Sequence, residues 1–381
     1  MKLRHVLVAC AAASALQAQA ADVQVYGLID TGLSFKSVDA DNKKGRKESV
    51  EMGQSQLVPN RWGLRGTEDL GNGLKVGFVL EGQFASDTGT MTGNRLFHRS
   101  AQVSLISQDY GTLNLGRSGA LRSGFGTTGI WGPKTNPFSN AAGSFIAGHK
   151  WIMPGGFKAV DNAVTYQSPV WAGAQLHLQY SSRIDGVTED DEAVENRDST
   201  DRQWAVGLTY ANGPLRAVAV LDQVMYKTVK PHNTNPERGT ALSAEVDYKF
   251  DVAKLYLSGM WFNDMAKKEF QGHAFNGVNL LSATAYQGYV VEVGADIPAA
   301  GGTVKVNLGW MDAESSEGTA KKAQDTDRLT VGVGYTYPLS KRTQLYTAAG
   351  YLRDSYKLQT SGAKETNPDA YEVIAGMVHR F

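Results

Sequence analysis

Apolar and polar residues alternate one by one along most of this chain. In the segment 242–250, LSAEVDYKF, the even-numbered residues are apolar and the odd-numbered residues are polar or charged. The same period of two recurs at 23–36, 74–84, 303–310 and 328–337. A strand places successive side chains on opposite faces, whereas a helix cannot separate such sets. The chain is therefore predicted to be all-β, with strands that have one apolar and one polar face.

Segments of this kind predict about sixteen strands. Two types of connection alternate between them. One type is a tight turn, as at Asn212-Gly213-Pro214, and the other is a long polar loop. The predicted strands begin near residues 23, 54, 74, 96, 110, 161, 174, 202, 214, 240, 252, 286, 302, 327, 341 and 370, and the long loops are 37–51, 119–160, 184–201, 228–238, 264–284, 313–326 and 353–369.

Short turns at one edge and long loops at the other are typical of an antiparallel β-barrel that spans a membrane. A soluble sandwich would bury one apolar face against another, and it would not need so many charges on the second face. A barrel of about sixteen strands leaves an aqueous channel unless a segment folds inward. Aromatic residues lie on the apolar faces near strand ends, as in interfacial girdles: Trp62, Phe84, Trp204, Tyr210, Trp261, Trp310, Tyr335, Tyr337 and Tyr351.

The first twenty residues have the pattern of a secretory signal peptide. MKLRH is basic, VLVACAAASAL is apolar, and Ala18-Gln19-Ala20 is a small-x-small cleavage signal. We expect residues 1–20 to be removed and residues 21–381 to form the barrel. A lipoprotein signal ending at Cys10 is the less favoured alternative, because few apolar residues precede it. Cys10 is the only cysteine, so the predicted mature chain can form no disulfide.

The charge balance gives no reason to expect a nucleic-acid partner. The whole chain has 38 basic and 38 acidic residues, and removal of Lys2 and Arg4 leaves 36 basic residues.

The chain resembles Gram-negative general porins of the neisserial and beta-proteobacterial type. The resemblance is carried by ADVQVYGLIDTGLSF after the predicted cleavage site, 60–84, 99–118, 162–180 and the terminal GMVHRF. It implies a homotrimer of sixteen-stranded barrels among outer-membrane lipids, with the third long loop, 119–160, folded inward as a constriction. The terminal Phe381 is similar to the signal by which such barrels are recognised for assembly.

The resemblance also implies a row of basic residues on the wall of the constriction. Arg61 and Arg65 share the parity of Gly63 on the polar face, so both should point into the lumen. Arg99 lies where the family has another wall arginine, although it shares the parity of apolar residues. Lys158, where the third loop returns to the wall, is the predicted loop-side partner of Arg61 and Arg99.

The third loop is basic and contains no acid. From residue 110 to residue 160 there is no Asp or Glu. With both the wall and the loop positive, the lumen should attract anions and repel cations. Alternatively, the lysines lie in the outer vestibule or pair with other loops, where charges are screened within about 8–10 Å. The basic residues of this stretch are Arg117, Arg122, Lys134, Lys150 and Lys158.

Two other features leave alternatives open. Aromatic residues in the third loop could form a track for a sugar or an aromatic acid, but anchoring of the loop to the wall is favoured. They are Phe125, Trp131, Phe138, Phe145, Trp151 and Phe157. The acidic loop 184–198 could bind lipopolysaccharide through divalent cations. A solvated outer surface is the simpler interpretation, because the loop lacks the spacing of an EF-hand.

The sequence thus predicts a passive channel for small anionic or neutral solutes, with no cofactor and no metal. One alternative is a barrel with a plugged lumen that acts as an adhesin or surface antigen. Another is an outer-membrane phospholipase, although no G-x-S-x-G, H-E-x-x-H or C-x-x-C motif is present. One irregularity remains in the last strand: Ile374 and Val378 fall on the predicted lumen face, and His379 falls on the lipid face.

Overall fold

The computed structural model describes residues 22–381, except 133–134, 157, 187–193, 229–235, 317–322 and 361. The predicted signal peptide and Lys134 lie outside the described residues. The strands are β1 (Gln24–Asp39), β2 (Lys47–Gln54), β3 (Arg61–Gly71), β4 (Leu74–Gln83), β5 (Ser100–Ser107), β6 (Gly111–Gly119), β7 (Ala159–Gln167), β8 (Ala174–Ser181), β9 (Arg202–Asn212), β10 (Leu215–Met225), β11 (Arg238–Lys249), β12 (Lys254–Ala266), β13 (Ala274–Phe275), β14 (Val278–Asn279), β15 (Ala285–Ala299), β16 (Gly302–Ser315), β17 (Gln324–Pro338), β18 (Thr343–Leu358) and β19 (Asp369–Arg380).

The strands form one closed antiparallel sheet. Each wall strand pairs with its neighbours in the chain, and β1 closes the barrel by pairing with β19, with Leu28 opposite Arg380 and Asp39 opposite Asp369. Closure leaves no strand edge without a hydrogen-bonding partner, which a lipid environment requires. The short hairpin of β13 and β14 stands apart from this sheet.

Strands β2 and β3 are two halves of one wall strand, which gives a barrel of 16 strands. β2 pairs with residues 31–38 of β1, and β3 pairs with residues 24–28. The chain leaves the wall between them because the Asp30 carboxylate accepts hydrogen bonds from the backbone N–H groups of Leu57 and Val58, each at 2.7 Å. The predicted strand start near residue 54 and the predicted loop 37–51 are wrong here, because β2 occupies residues 47–54 and the first loop is only residues 40–46. The alternation is irregular where the wall strand is interrupted at residues 55–60.

The two faces of the wall have the opposite polarity from a soluble protein. On β11, Leu242 and Val246 are exposed on the outside, whereas Ser243, Glu245 and Asp247 are buried on the inside. Trp261, Trp310 and Tyr337 are among the exposed aromatic side chains of the outer face. An apolar exterior around a polar interior is the pattern of a barrel that spans a membrane, and it confirms the period-two prediction.

Long loops and short turns alternate around the barrel. The long loops are numbered here in chain order, and the third comprises residues 120–158 and the sixth residues 267–284. The second loop, residues 84–99, was not among the predicted loops because its last residues were assigned to the strand that follows. That strand, β5, begins at Ser100 rather than near residue 96. Three short 3-10 helices lie in the second, third and sixth loops.

No helix in the described part of the chain is long and apolar enough to cross a membrane. The largest buried apolar cluster lies between the third and sixth loops and the inner face of the wall. It includes Trp131 and Met153 from the third loop, Phe270 from the sixth, and Met260 and Met311 from the wall.

Candidate functional site: the arginine cluster of the wall and the third loop

Two arginines flank one interior residue of β1. Leu28 pairs with Arg61 on β3 and with Arg380 on β19, and its own side chain is buried. Directly paired residues of antiparallel strands point to the same face. Both arginines are therefore on the inner face, separated by two strand spacings or about 10 Å. Among the described residues, neither has a carboxylate within ion-pair distance.

Arg99 immediately precedes β5 and reaches the same wall. Its Nε donates to the Glu81 carboxylate at 2.5 Å, and only 1% of its side chain is exposed. The hydroxyl of Tyr26 donates to the other oxygen of Glu81 at 3.0 Å. The Arg99 guanidinium also lies 4.2 Å from the centroid of the Phe125 ring, in the third loop. The ion pair with Glu81 holds the Arg99 side chain toward the lumen. The alternation of polar and apolar residues could not indicate this orientation.

Arg65 lies further along β3 and is exposed. Its guanidinium is 4.9 Å from the centroid of the Tyr26 ring, and its Nε donates to the amide oxygen of Gln24 at 3.2 Å. Four arginines thus share this side of the wall with the carboxylates of Glu81 and Asp30, and Asp22 lines the same cavity as Arg65. We call the four residues the arginine cluster: Arg61, Arg65, Arg99 and Arg380.

Arg380 was not among the predicted site residues. The signal was present in the sequence, because Arg380 has the parity of Glu372 and Gly376 on the polar face of the last strand. It was missed because only the pairing of β1 with both β19 and β3 brings residues 61 and 380 to either side of Leu28. Residues 61 and 380 are far apart in the sequence, so the alternation of residues could not indicate that they lie close together.

The middle of the third loop packs on glycines of the inner wall. A Cβ atom on Gly350 would lie 2.3 Å from Cα of Ile146, and one on Gly294 would lie 2.7 Å from the Pro137 ring. Ile146 and Phe138 are buried in one cluster with Ile374 and Val378 of β19. The two apolar residues of the last strand that did not fit the lumen face therefore form part of the surface on which the third loop rests.

Carboxylates of the wall fix the loop by hydrogen bonds. Glu292 on β15 accepts from the amide nitrogen of Asn136 at 3.1 Å and contacts His149 Nδ1 at 2.5 Å. Glu372 on β19 accepts from the backbone N–H groups of Ser144 and Phe145 at 2.5 and 2.9 Å. These carboxylates come from strands more than a hundred residues away, so the acid-free loop is held by acids of the wall.

The basic residues of the loop are also paired with distant acids. Arg122 donates to Asp222 at 3.0 and 3.2 Å, and Lys158 donates to both oxygens of Glu269 at 3.1 Å. Arg117, at the end of β6, pairs with Asp161 at 2.5 Å. Because Lys158 pairs with the sixth loop, its role as partner of Arg61 and Arg99 stays a prediction.

Lys150 differs from the other loop cations. Its Nζ lies 4.8 Å from the centroid of the Trp151 ring, and burial lowers the pKa of its amine. No described carboxylate forms an ion pair with it. Trp131 and Phe138 are each 1% exposed, as expected for residues that anchor the loop to the wall. Phe157 lies outside the described residues.

Three cavities meet at residues 124–127 of the third loop. One of about 620 Å³ lies against β7–β10, and one of about 410 Å³ is lined by Arg65 and Thr127. The third, of about 460 Å³, is lined by Arg61, Arg380 and Glu81 on the wall and by Gly124 and Gly126 on the loop. The loop thus presents glycine backbone, and no carboxylate, to the arginine cluster.

The described residues contain no group of three or more acidic, histidine or cysteine side chains that could hold a metal ion. Half of the acidic fourth loop, residues 187–193, lies outside the described part of the chain. Asp185, at its beginning, pairs with Arg95 of the second loop at 2.5 Å.

Comparison with known proteins agrees with this geometry. The family model described as Gram-negative porin matches residues 6–357. An outer membrane porin protein of Bordetella pertussis is 31% identical over 97% of this chain and 96% of its own length. Outer membrane porin protein 32 of Delftia acidovorans is 31% identical over 100% of both chains.

Solved porin structures have the same fold. An anion-selective porin from Comamonas acidovorans superposes with a TM-score of 0.64 at 23% identity, over 95% of this chain and 100% of that chain. The trimer form of OmpT from Vibrio cholerae superposes with a TM-score of 0.59 at 14% identity, also over 95% and 100%. With the polar interior and the apolar exterior of the closed barrel, these matches show that the chain belongs to the Gram-negative porin family and is a channel protein of the outer membrane.

Proposed function

We propose that this porin is a passive, water-filled channel that prefers small anionic solutes over cations. The observation that carries the proposal is the arginine cluster facing a loop without carboxylates. Arg61, Arg99 and Arg380 face Glu81 and Asp30, so this part of the wall has a net charge of about +1 when each group has its usual charge at neutral pH. The charge stays about +1 when Arg65 is counted together with Asp22, which lines the same cavity. Fixed charge in a narrow pore attracts the oppositely charged ion.

The third loop is the second part of the proposal. Its contacts with Gly294, Gly350 and Glu372 on the inner face support its role as the constriction. Pairing of Arg122 and Lys158 with Asp222 and Glu269 means that the loop cations add less to the field than their number suggests. The selectivity is therefore assigned to the wall arginines.

The assembly of the protein is also part of the proposal. We infer a homotrimer, which the trimer form of OmpT supports, and removal of residues 1–20 on export. Val50 and Met52 of β2 are 73% and 63% exposed on the outer face, which suits contact with lipid or with a second subunit. Lipopolysaccharide is the expected neighbour of the outer rim.

Reversal potentials in planar bilayers under a KCl gradient test the selectivity. The wild type should show the sign of an anion-selective pore. The Arg61→Gln/Arg380→Gln variant should lose the anion preference, because it removes two positive charges and the surplus is only about one. A matched control is Arg353→Gln, whose side chain bonds Asn367 at the outer rim away from the cluster; it should leave the ratio unchanged.

A cation-selective wild type would refute the proposal. If purified protein gave no conductance steps at all, the plugged adhesin-type barrel would replace the channel. If steps appeared but the double variant kept the wild-type ratio, anion preference would have to come from residues outside the arginine cluster.

A further inference from the structure

The sixth loop buries five of its larger side chains. It leaves the wall at the end of β12 and returns at β15, and a freely solvated loop would keep its polar and apolar side chains exposed. Here the exposed fraction is 5% for Glu269, 7% for Phe270, 3% for His273 and 2% for Leu281. Phe275, at its tip, is fully buried. The loop must therefore lie against other parts of the protein.

The tip of the loop reaches a distant part of the wall. Phe275 is buried in a cluster with Val38 of β1, Leu352 of β18 and Ala370 of β19. The side-chain amide of Asn276 donates to the carbonyl oxygen of Val38 at 3.1 Å. Because β16, β17, β18 and β19 lie between β15 and β1 around the barrel, the loop crosses from one part of the wall to another. It does so inside the ring of strands and near their loop-side ends, because Val38 and Ala370 lie one pair from the end of the β1–β19 ladder.

Arg328 of β17 joins this loop to the third loop. Its side chain is fully buried, and its Nε and Nη2 donate to Asp354 at 2.6 and 2.7 Å. Nη1 donates to the carbonyl oxygen of Trp151 in the third loop at 2.5 Å. Nη1 and Nη2 also donate to the carbonyl oxygens of Gln271 and Gly272 in the sixth loop, at 3.1 and 2.9 Å. One guanidinium thus holds both loops to the wall.

Two further contacts strengthen the same junction. His273 Nδ1 lies 2.8 Å from the Tyr356 hydroxyl and 3.2 Å from Asp354. Burial, together with the nearby Arg328, lowers the pKa of His273 to about 4, so the imidazole is neutral at pH 7. The pair of Lys158 and Glu269 ties the beginning of the sixth loop to the end of the third.

Four cavities of the described part of the chain lie on the other side of the barrel. The three that meet at residues 124–127 are lined by β1, β3–β10, β19 and the third loop. A fourth, at the outer mouth, is lined by β1, β2, the second and third loops and Glu372 of β19. None of these four cavities has a lining residue from β11–β18 among the described residues.

We propose that the sixth loop is a second occluding segment, which with the third loop fills the lumen beside β12–β18 and confines conduction to the side of β1–β10. In this proposal Arg328 is a positioning residue for both loops and does not touch the solute. The inference rests on the channel function proposed above, but it concerns the size of the path rather than its ion preference.

Two variants test the proposal in planar bilayers. In one, residues 270–283 are replaced by a short Gly-Ser turn, and in the other Arg328 becomes Met. Both should raise the single-channel conductance, roughly twofold for the deletion, because the conducting cross-section is enlarged. Neutral oligosaccharides too large for the wild type should enter proteoliposomes. The control Lys305→Met breaks an interior ion pair with Asp296 that involves no loop, and it should leave conductance unchanged.

A folded deletion variant with wild-type conductance and the wild-type size limit would overturn the proposal. If neither variant folds, hydrogen exchange of the wild type tests the proposal. The backbone amides of residues 270–276 should then exchange as slowly as those of β17. Fast exchange of these amides would refute the buried position of the loop. The anion preference is measured in the same bilayers, and it depends on Arg61 and Arg380 rather than on the sixth loop. A wild type without anion preference would therefore count against the proposed function and not against the position of the sixth loop.

Discussion

The buried pair of Arg99 and Glu81 shows how single residues set the charge of the lumen. Arg99 has an exposed side-chain fraction of 1% and Glu81 of 7%, so neither charge is well solvated. An ion of this kind is tolerated only with a partner, since removal of one member leaves an uncompensated buried charge. Arg61 and Arg380, which line a cavity, can keep their charge without an ion partner.

The Glu81→Gln variant should therefore be less stable than the wild type, by about 3 kcal/mol of unfolding free energy. It should also be more anion-selective, because Arg99 would no longer be neutralised. The double variant Glu81→Gln/Arg99→Met should recover most of the lost stability. Urea unfolding of the detergent-folded barrel, followed by tryptophan fluorescence, measures these differences. Additive losses in the double variant would show that the two side chains are not energetically coupled.

At the scale of strands and loops, the sequence predicted the wall well and the loops poorly. Alternation is a local signal, so the strands and the inward faces of Arg61 and Arg65 could be read from neighbouring residues. The contacts of the third loop could not, because Asp222, Glu292 and Glu372 come from distant strands. Ile374 and Val378 do not fit the polar pattern of the lumen face for the same reason: their apolar partners are in the third loop.

Gly350 of β18 provides a test of where the third loop rests. A Val at this position would place Cβ 2.3 Å from Cα of Ile146, so the loop backbone would have to move. We expect the Gly350→Val channel to show altered conductance and more frequent current fluctuations in single-channel records.

The matched control is Gly259→Val on the outer face of β12, where a Cβ would meet only the carbonyl oxygen of Val290, at 3.3 Å. That variant should conduct like the wild type. An unchanged Gly350→Val channel would mean that the third loop does not lie against β18 in the conducting protein.

For the whole molecule, selectivity depends on where charge lies and not on its total. The chain has equal numbers of acidic and basic residues, 38 of each, and most described interior cations have a carboxylate partner. The surplus arginines, Arg61 and Arg380, lie on β3 and β19, on either side of β1, and line a cavity of about 460 Å³. Composition gives only the total charge, and the folded chain is needed to show that the charges are distributed unevenly around the wall.

The most direct test of this account uses single cysteines as probes of the conducting path. Cys10 is the only cysteine of the chain and lies in the proposed signal peptide. A single thiol can therefore be placed in the mature protein at Thr127, which lines two cavities, or at Ser258, which is buried on the inner face of β12. Anionic and cationic methanethiosulfonate reagents are then applied while current is recorded. We predict rapid block at Thr127→Cys, faster with the anionic reagent, and little reaction at Ser258→Cys. Faster block by the cationic reagent, or equal block at the two positions, would contradict it.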